Sequence, residues 1–207
     1  MAFVVREPVL HSTPIADLRP TQMTVGMREV VEKRKSWRKI EPKKREEFLR
    51  AHMLPVILGP GKTPYVIDHH HLARALHEEG QKEVFVEVVQ DLHKVDVGAF
   101  WTVLDYHALA HPYDANGKRH EFSELPKTVK ALKDDPFRSL AGELRRVGGY
   151  AKDTTPFSEF LWADFLRRRI KAKDVKRDFS RTLERALELA KSPAADYLPG
   201  WCGPHVP

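Results

Sequence analysis

Cysteine is nearly absent from this chain: one residue, Cys202, stands close to the end of 207. A single thiol excludes an intrachain disulfide framework and a zinc site built from several cysteines, and it suits a reducing compartment. Long apolar runs are missing too. The opening MAFVVREPVLHSTP has neither the basic start nor the continuous apolar stretch of a secretory signal. No window approaches the roughly eighteen apolar residues of a membrane span. The expectation is a soluble, cytoplasmic protein with no membrane partner. Internal repeats and low-complexity tracts are absent as well. The four tryptophans, Trp37, Trp101, Trp162 and Trp201, are too scattered to form a stacking platform for single-stranded bases.

What is present is a hydrophobic fraction of 42%, enough for a packed core, and a formal net charge of +6. The positive balance favours acidic partners such as nucleotides, phosphorylated metabolites or nucleic acid. It is modest for a dedicated DNA binder. The basic runs from Arg28 to Lys44 and from Arg167 to Lys173 could grip DNA or RNA phosphates, but they are interleaved with acids on amphipathic patterns and read better as solvated faces.

Periodicity divides the chain. Phe3 to Val9 reads as a short first strand, and Asp17-Leu18-Arg19-Pro20 has turn chemistry. Helical spacing follows over Met27–Lys39, with Thr24 a candidate N-cap, and over Lys43–Ala51. Leu54–Leu58 and Tyr65–Asp68 flank a Gly-Pro-Gly-Lys-Thr-Pro turn and predict a hairpin. His70 to Glu79 predicts a helix ended by Gly80, and Val84–Val89 another strand. Beyond Asp91 the pattern is helical over 95–110, 125–133, 137–147, 157–170 and 173–191. The organisation expected is an α+β domain over 1–95, a helical extension over 96–192 packed on it, and a loop tail over 193–207.

Chemistry concentrates where the second hairpin strand runs into a helix: Tyr65-Val66-Ile67-Asp68-His69-His70-His71-Leu72-Ala73-Arg74-Ala75-Leu76. The first turn of a helix presents unpaired N–H groups and a positive dipole end, so anions sit there favourably. Asp68 can cap the helix or hold a metal or a hydroxyl. Histidines donate to phosphate, move protons or ligate metals. Arg74, one turn on, would add a fixed positive charge. Three histidines at an exposed turn also read as polar surface, and Asp68 as an N-cap alone. A second cluster, Asp105 to Asp114, holds His107 and His111 at a one-turn spacing that would pair them on a helix, followed by a polar loop of the kind that closes over ligands.

The Asp68 stretch resembles the signature of the ParB/sulfiredoxin superfamily: a strand, a pattern close to Asp-Gly-His-His-Arg-Leu-x-Ala, then a helix. Leu18-Arg19-Pro20-Thr21-Gln22-Met23-Thr24 resembles its other landmark, an Asn-Pro-x-Gln-like segment after the first strand. His69 stands where the pattern has glycine, and Leu72 where it has arginine. The Asp-His-His-His form is similar to the branch usually called "putative ParB-like nuclease". The likeness is clearest over residues 10–90, and no helix-turn-helix is evident after it.

The resemblance implies a small mixed sheet with helices and a nucleotide such as ATP, ADP or CTP bound beside the signature helix. It implies Asp68, His70 and His71 as catalytic residues, and Pro20, Thr21, Gln22, Thr24, His69 and Arg74 as ligand contacts; the second cluster, by its own spacing and loop, adds His107 and His111 as further ligand contacts. Mg²⁺ on Asp68 would serve phosphoryl transfer or phosphate-ester hydrolysis. Glu29 and Glu32, on the helix after Gln22, are candidate second carboxylates that the resemblance does not fix and that also read as surface helix charges. Sulfiredoxin chemistry needs a thiol at the signature, and Cys202 is far away in sequence. Two other classes stay open: a non-enzymatic, DNA-associated, partition-like protein, and a binder of a metal or small metabolite through the histidines.

Overall fold

The computed structural model describes residues 11–204, so the strand expected over Phe3–Val9 lies outside the described residues. The first half is built on a five-stranded sheet of order β1-β6-β4-β5-β2, from β1 (His11–Pro14), β2 (Arg19–Pro20), β4 (Leu54–Gly59), β5 (Thr63–Val66) and β6 (Glu83–Asp91). β4 and β5 form the predicted antiparallel hairpin, while β6 lies parallel to β4 and β2 parallel to β5. Helices α1 (Met27–Arg38), α2 (Arg45–Ala51), α3 (His70–Glu78) and α4 (Val97–Tyr106) join these strands. A separate two-stranded parallel pair links β3 (Thr24–Val25) to β7 (Lys133–Asp134).

Strand alternation explains how the sheet is covered on both faces. Leu54 and Val56 pack in one core with Val30 and Trp37 of α1 and with Leu72, Ala73 and Leu76 of α3. Ile57, on the opposite face, packs with Phe100 and Leu104 of α4. Each fully buried Leu, Val or Phe side chain contributes about 1.5–3 kcal/mol. The second half has its own core, where Leu140, Leu144, Trp162, Phe165, Leu166, Val175 and Ala186 come together. They belong to α5 (Pro136–Arg146), α6 (Ser158–Arg167), α7 (Ala172–Arg177) and α8 (Phe179–Lys191).

Several expectations are corrected. The helix over 125–133 is instead an extended strap with one 3-10 turn at Val129–Ala131. Its Val129 and Leu132 join the first core, and Arg74 of α3 donates to the carbonyls of Lys130 and Leu132. Long-range contacts have overridden helical spacing there. The helix over 173–191 is two, because Asp178 leaves the helical conformation and accepts from the N–H of Arg181 to cap α8. Thr24 caps nothing, since it lies in β3 and the N-cap of α1 is Gly26. A Cβ on Gly26 would lie 2.9 Å from the backbone nitrogen of Ser139, so this close approach to α5 requires glycine. Gly80 follows α3 with φ of 75°, the left-handed conformation expected of it.

Candidate functional site

β5 delivers Val66, Ile67 and Asp68 to the start of α3, and the chain turns through His69 at φ 61° and ψ 24°. Asp68 is exposed and its Oδ1 accepts from the N–H of His69 at 2.6 Å, while no side chain caps α3. His69 is exposed too, with Nδ1 3.2 Å from the carbonyl of Met53. His70 and His71 point inward and are buried. Nε2 of His70 accepts from the backbone N–H of Thr21 at 3.2 Å, and Nε2 of His71 accepts from that of Gly26 at 3.0 Å. The paired histidines therefore fasten the Pro20–Gly26 segment across the start of α3. Burial holds the His70 imidazole down at about 4, and burial with the nearby Arg138 cation holds His71 well below its usual range. Both rings are neutral at pH 7 and act as acceptors.

A second helix start faces the same space. Phe157, at φ 56° and ψ 23°, leads into α6, again with no side-chain cap. Between the two helix starts lies a cleft of about 350 Å³ lined by Gln22, Asp68, His70, His71, Arg138 and Glu159, with Phe157, Ser158 and Phe160 among the further walls. Arg138 is buried, pairs with Glu159, and lies 3.9 Å from Glu29. Its Nε has no hydrogen-bond partner among the described residues. Glu159 also pairs with Arg145 at 2.5 Å. The sequence pattern did not single out Arg138 or the start of α6. Only their position next to His71 in the fold exposes them.

The other expected contacts divide. Gln22 lines the cleft, with Nε2 donating to the carbonyl of Thr24 at 2.7 Å. Pro20, Thr21 and Thr24 are buried behind it, and Thr21 spends its hydroxyl on the carbonyl of Val66. Arg74 is directed away, held by Glu78 and the two strap carbonyls. Glu29 lies 3.5 Å from Nε2 of His71, whereas Glu32 is an exposed partner of Lys35. His107 and His111 are not a helical pair, because α4 ends at Tyr106 and Ala108 turns at φ 51°. His107 lines the cleft, while His111 bridges to Gln22 and lines an adjoining one.

That adjoining cleft, about 430 Å³, shares Pro156, Phe157 and Phe160 with the first. His111 stacks on Phe160 with centroids 4.0 Å apart, and Tyr113 lies 4.7 Å from it. Burial, with Arg167 and Arg138 nearby, holds His111 at about 4. The arginines of the 167–169 run are engaged within the fold: Arg167 with Asp135 and Asp164, Arg168 with Asp164, and Arg169 with the carbonyl and ring of Phe165.

A family model described as "Putative ParB-like nuclease" matches residues 11–168. The chain belongs to this ParB-like nuclease family. The match spans the strand, loop and signature helix of the first half, and it extends through α5 and α6 to include Arg138 and Glu159. A crystal structure of protein Atu1540 from Agrobacterium tumefaciens is similar at 48% identity and a TM-score of 0.90, over 96% of this chain and 99% of that one. No curated protein matches. Among the described residues no helix is long and apolar enough to cross a membrane.

Among the described residues no three His, Cys, Asp or Glu side chains gather to hold a metal ion.

Proposed function

We propose that the cleft between α3 and α6 binds the phosphate groups of a nucleotide or similar phosphate ester. The observation that supports this most is the meeting of two helix N-termini without side-chain caps beside one buried arginine. The α3 start offers unpaired N–H groups and a partial positive charge; the α6 start offers the partial positive charge and the N–H of Glu159, since those of Ser158 and Phe160 donate to the carbonyls of Thr155 and Phe157; and a guanidinium adds planar donors suited to phosphate oxygens. The bound anion would share Arg138 with Glu159. His70 and His71 are positioning residues in this reading, because their Nε2 atoms already hold backbone N–H groups.

The reaction best matched to these groups is phosphoryl transfer to a hydroxyl or to water. Asp68 is the exposed carboxylate on the cleft and would accept the hydroxyl proton, making it the catalytic residue. A partition-like protein that binds nucleotide without turnover would share the same phosphate site. Turnover separates the two.

The test is calorimetry and thermal melting with ATP, ADP, CTP, GTP and inorganic tripolyphosphate, with and without Mg²⁺. A ligand that binds the folded state raises the melting temperature. Binding that Arg138→Gln weakens at least tenfold in a folded variant is expected. Absence of binding by every phosphate compound overturns the proposal. Release of ADP from ATP by the wild type, cut about 10²-fold or more in Asp68→Ala with binding retained, would assign the enzymatic reading.

A further inference from the structure

Positive charge is concentrated at the far end of the second half. Residues 165–185 hold nine Lys or Arg and three Asp or Glu, an excess equal to the formal +6 of the whole chain. There α7 and α8 meet at Asp178 and border a third cleft of about 560 Å³, lined by Arg177, Arg181 and Arg185 with buried Ile170 and Thr182 behind them. It lies beyond residue 168, where the family match ends. Elsewhere guanidiniums are engaged, as Arg34 and Arg38 with Glu79, Arg146 with Glu143 and Arg28 over the ring of Phe179. Arg181 is the exception. Its backbone N–H donates to the Asp178 carboxylate, but its guanidinium meets no carboxylate, carbonyl or ring among the described residues. Arg185, one turn on, has a single long contact of 3.4 Å to the carbonyl of Arg169. The two carboxylates of the cleft are already engaged, Asp174 with Arg177 at 3.0 Å and Asp178 with the N–H of Arg181. Thr182 spends its hydroxyl on the carbonyl of Asp178.

We infer that this cleft is a separate anion site for a compact polyanion carrying at least two linked phosphate groups. Arg181 and Arg185 are four residues apart on α8, so they share a face and stand about 6 Å apart along its axis. Each guanidinium presents a planar fork to one oxyanion group, and a ligand with two such groups engages both. A lone orthophosphate reaches one. An anion here gains charge-assisted bonds without breaking an ion pair, whereas Arg138 in the cleft between α3 and α6 is already held by Glu159. Exposed Glu184 and Glu188 interrupt the basic row along α8, which disfavours a long phosphate backbone and favours a compact ligand seated among the guanidiniums. The site shares no residue with the cleft between α3 and α6, so it stands or falls apart from the phosphate reading of that cleft.

The experiment is calorimetry with inorganic tripolyphosphate, orthophosphate and citrate on the full chain at about 0.15 M salt. It compares the wild type with Arg181→Gln/Arg185→Gln and with Lys171→Gln/Lys173→Gln, which removes the same charge from the same segment outside the cleft. All four residues are exposed, and thermal melting checks that each variant is folded. Expected is the loss of one equivalent of bound tripolyphosphate in the arginine variant, with binding in the lysine variant within about twofold of the wild type. Orthophosphate and citrate should bind this site at least about tenfold more weakly than tripolyphosphate. Equal losses in the two variants overturn the defined site in favour of diffuse attraction. No loss in the arginine variant overturns it as well, whether or not Arg138→Gln abolishes binding at the other cleft. Loss in the arginine variant with none in Arg138→Gln supports this site and overturns the phosphate reading of the other. Citrate bound as tightly as tripolyphosphate overturns the assignment to phosphate. A duplex oligonucleotide bound through these arginines while tripolyphosphate is ignored overturns the compact ligand.

Discussion

The starts of α3 and α6 solve one geometric problem with different materials. Each helix is reached through a non-glycine residue in the left-handed region, His69 at φ 61° and Phe157 at φ 56°, and neither has a side-chain cap. The α3 start is fixed by polar bonds, the two histidine acceptors of backbone N–H groups. The α6 start is fixed by rings and by the Arg138–Glu159 pair. The α3 start keeps first-turn N–H groups available for an anion, whereas at α6 those of Ser158 and Phe160 donate to the carbonyls of Thr155 and Phe157; in both, the support comes from neighbours rather than from a side-chain cap. The site is composite, and neither half of the chain supplies it alone.

The largest expected effect tests whether the α6 side depends on its own core. Trp162 is fully buried, stacks on Tyr150 and donates to the carbonyl of Pro199. Trp162→Ala should cost about 3–5 kcal/mol in denaturant unfolding, from cavity and lost contacts. If the two halves unfold as one unit, fluorescence and circular dichroism transitions shift together; separate transitions would show that α3 keeps its structure when α6 is lost.

Protonation strikes both junctions. His70 belongs to one and His111 to the other, and each has its pKa held down to about 4 in the folded protein, against 6.5 ordinarily. Between those values the unfolded chain binds more protons, so stability is full above pH 6.5 and falls as pH drops toward 4. His70 alone should contribute a loss on the order of 3 kcal/mol. Unfolding measured from pH 7.5 to 4 checks the sign, and a flat profile would refute it. His111→Phe should reduce the slope without removing it, which apportions the effect between the two junctions.

The α3 side of this comparison was legible in sequence and the α6 side was not. An apolar strand, Asp68 and a run of histidines before an amphipathic helix form a local signal, and the hairpin, α3 and Gly80 appear where that signal places them. What the histidines do was not local, because Thr21 and Gly26 are reached only through folding. Arg138 carried no sequence signal at all: it is one arginine in an amphipathic helix, and its burial beside Glu159 arises from packing between α5 and α6. The misread strap at 125–133 has the same origin, since Arg74 and the first core hold it extended.

A smaller effect should follow from loosening the polar fastening. His71→Leu keeps an apolar side chain in the buried position but leaves the N–H of Gly26 without its acceptor. A cost of about 1–3 kcal/mol is expected, because a buried unpaired donor forfeits its solvation. Hydrogen exchange at Gly26 should accelerate beyond the global change; unaltered protection there would show that another acceptor replaces the imidazole.

The smallest effect separates the two junctions most cleanly. A left-handed residue other than glycine costs about 1–2 kcal/mol, and the family's signature pattern has glycine where this chain has His69. His69→Gly relieves that cost and forfeits only the contact of Nδ1 with the carbonyl of Met53, so stability should rise by about 1 kcal/mol or stay level. Phe157→Gly relieves the same backbone cost but removes a ring packed 4.9 Å from His111 and shared by both clefts, and it should destabilise by about 1–3 kcal/mol. Paired unfolding curves for the two variants decide the matter. Opposite signs would establish that α3 is held by polar bonds independent of its left-handed residue and that α6 is held by that residue's side chain. Equal destabilisation would mean that the exposed imidazole of His69 also anchors its junction, and the contrast between the two helix starts would collapse.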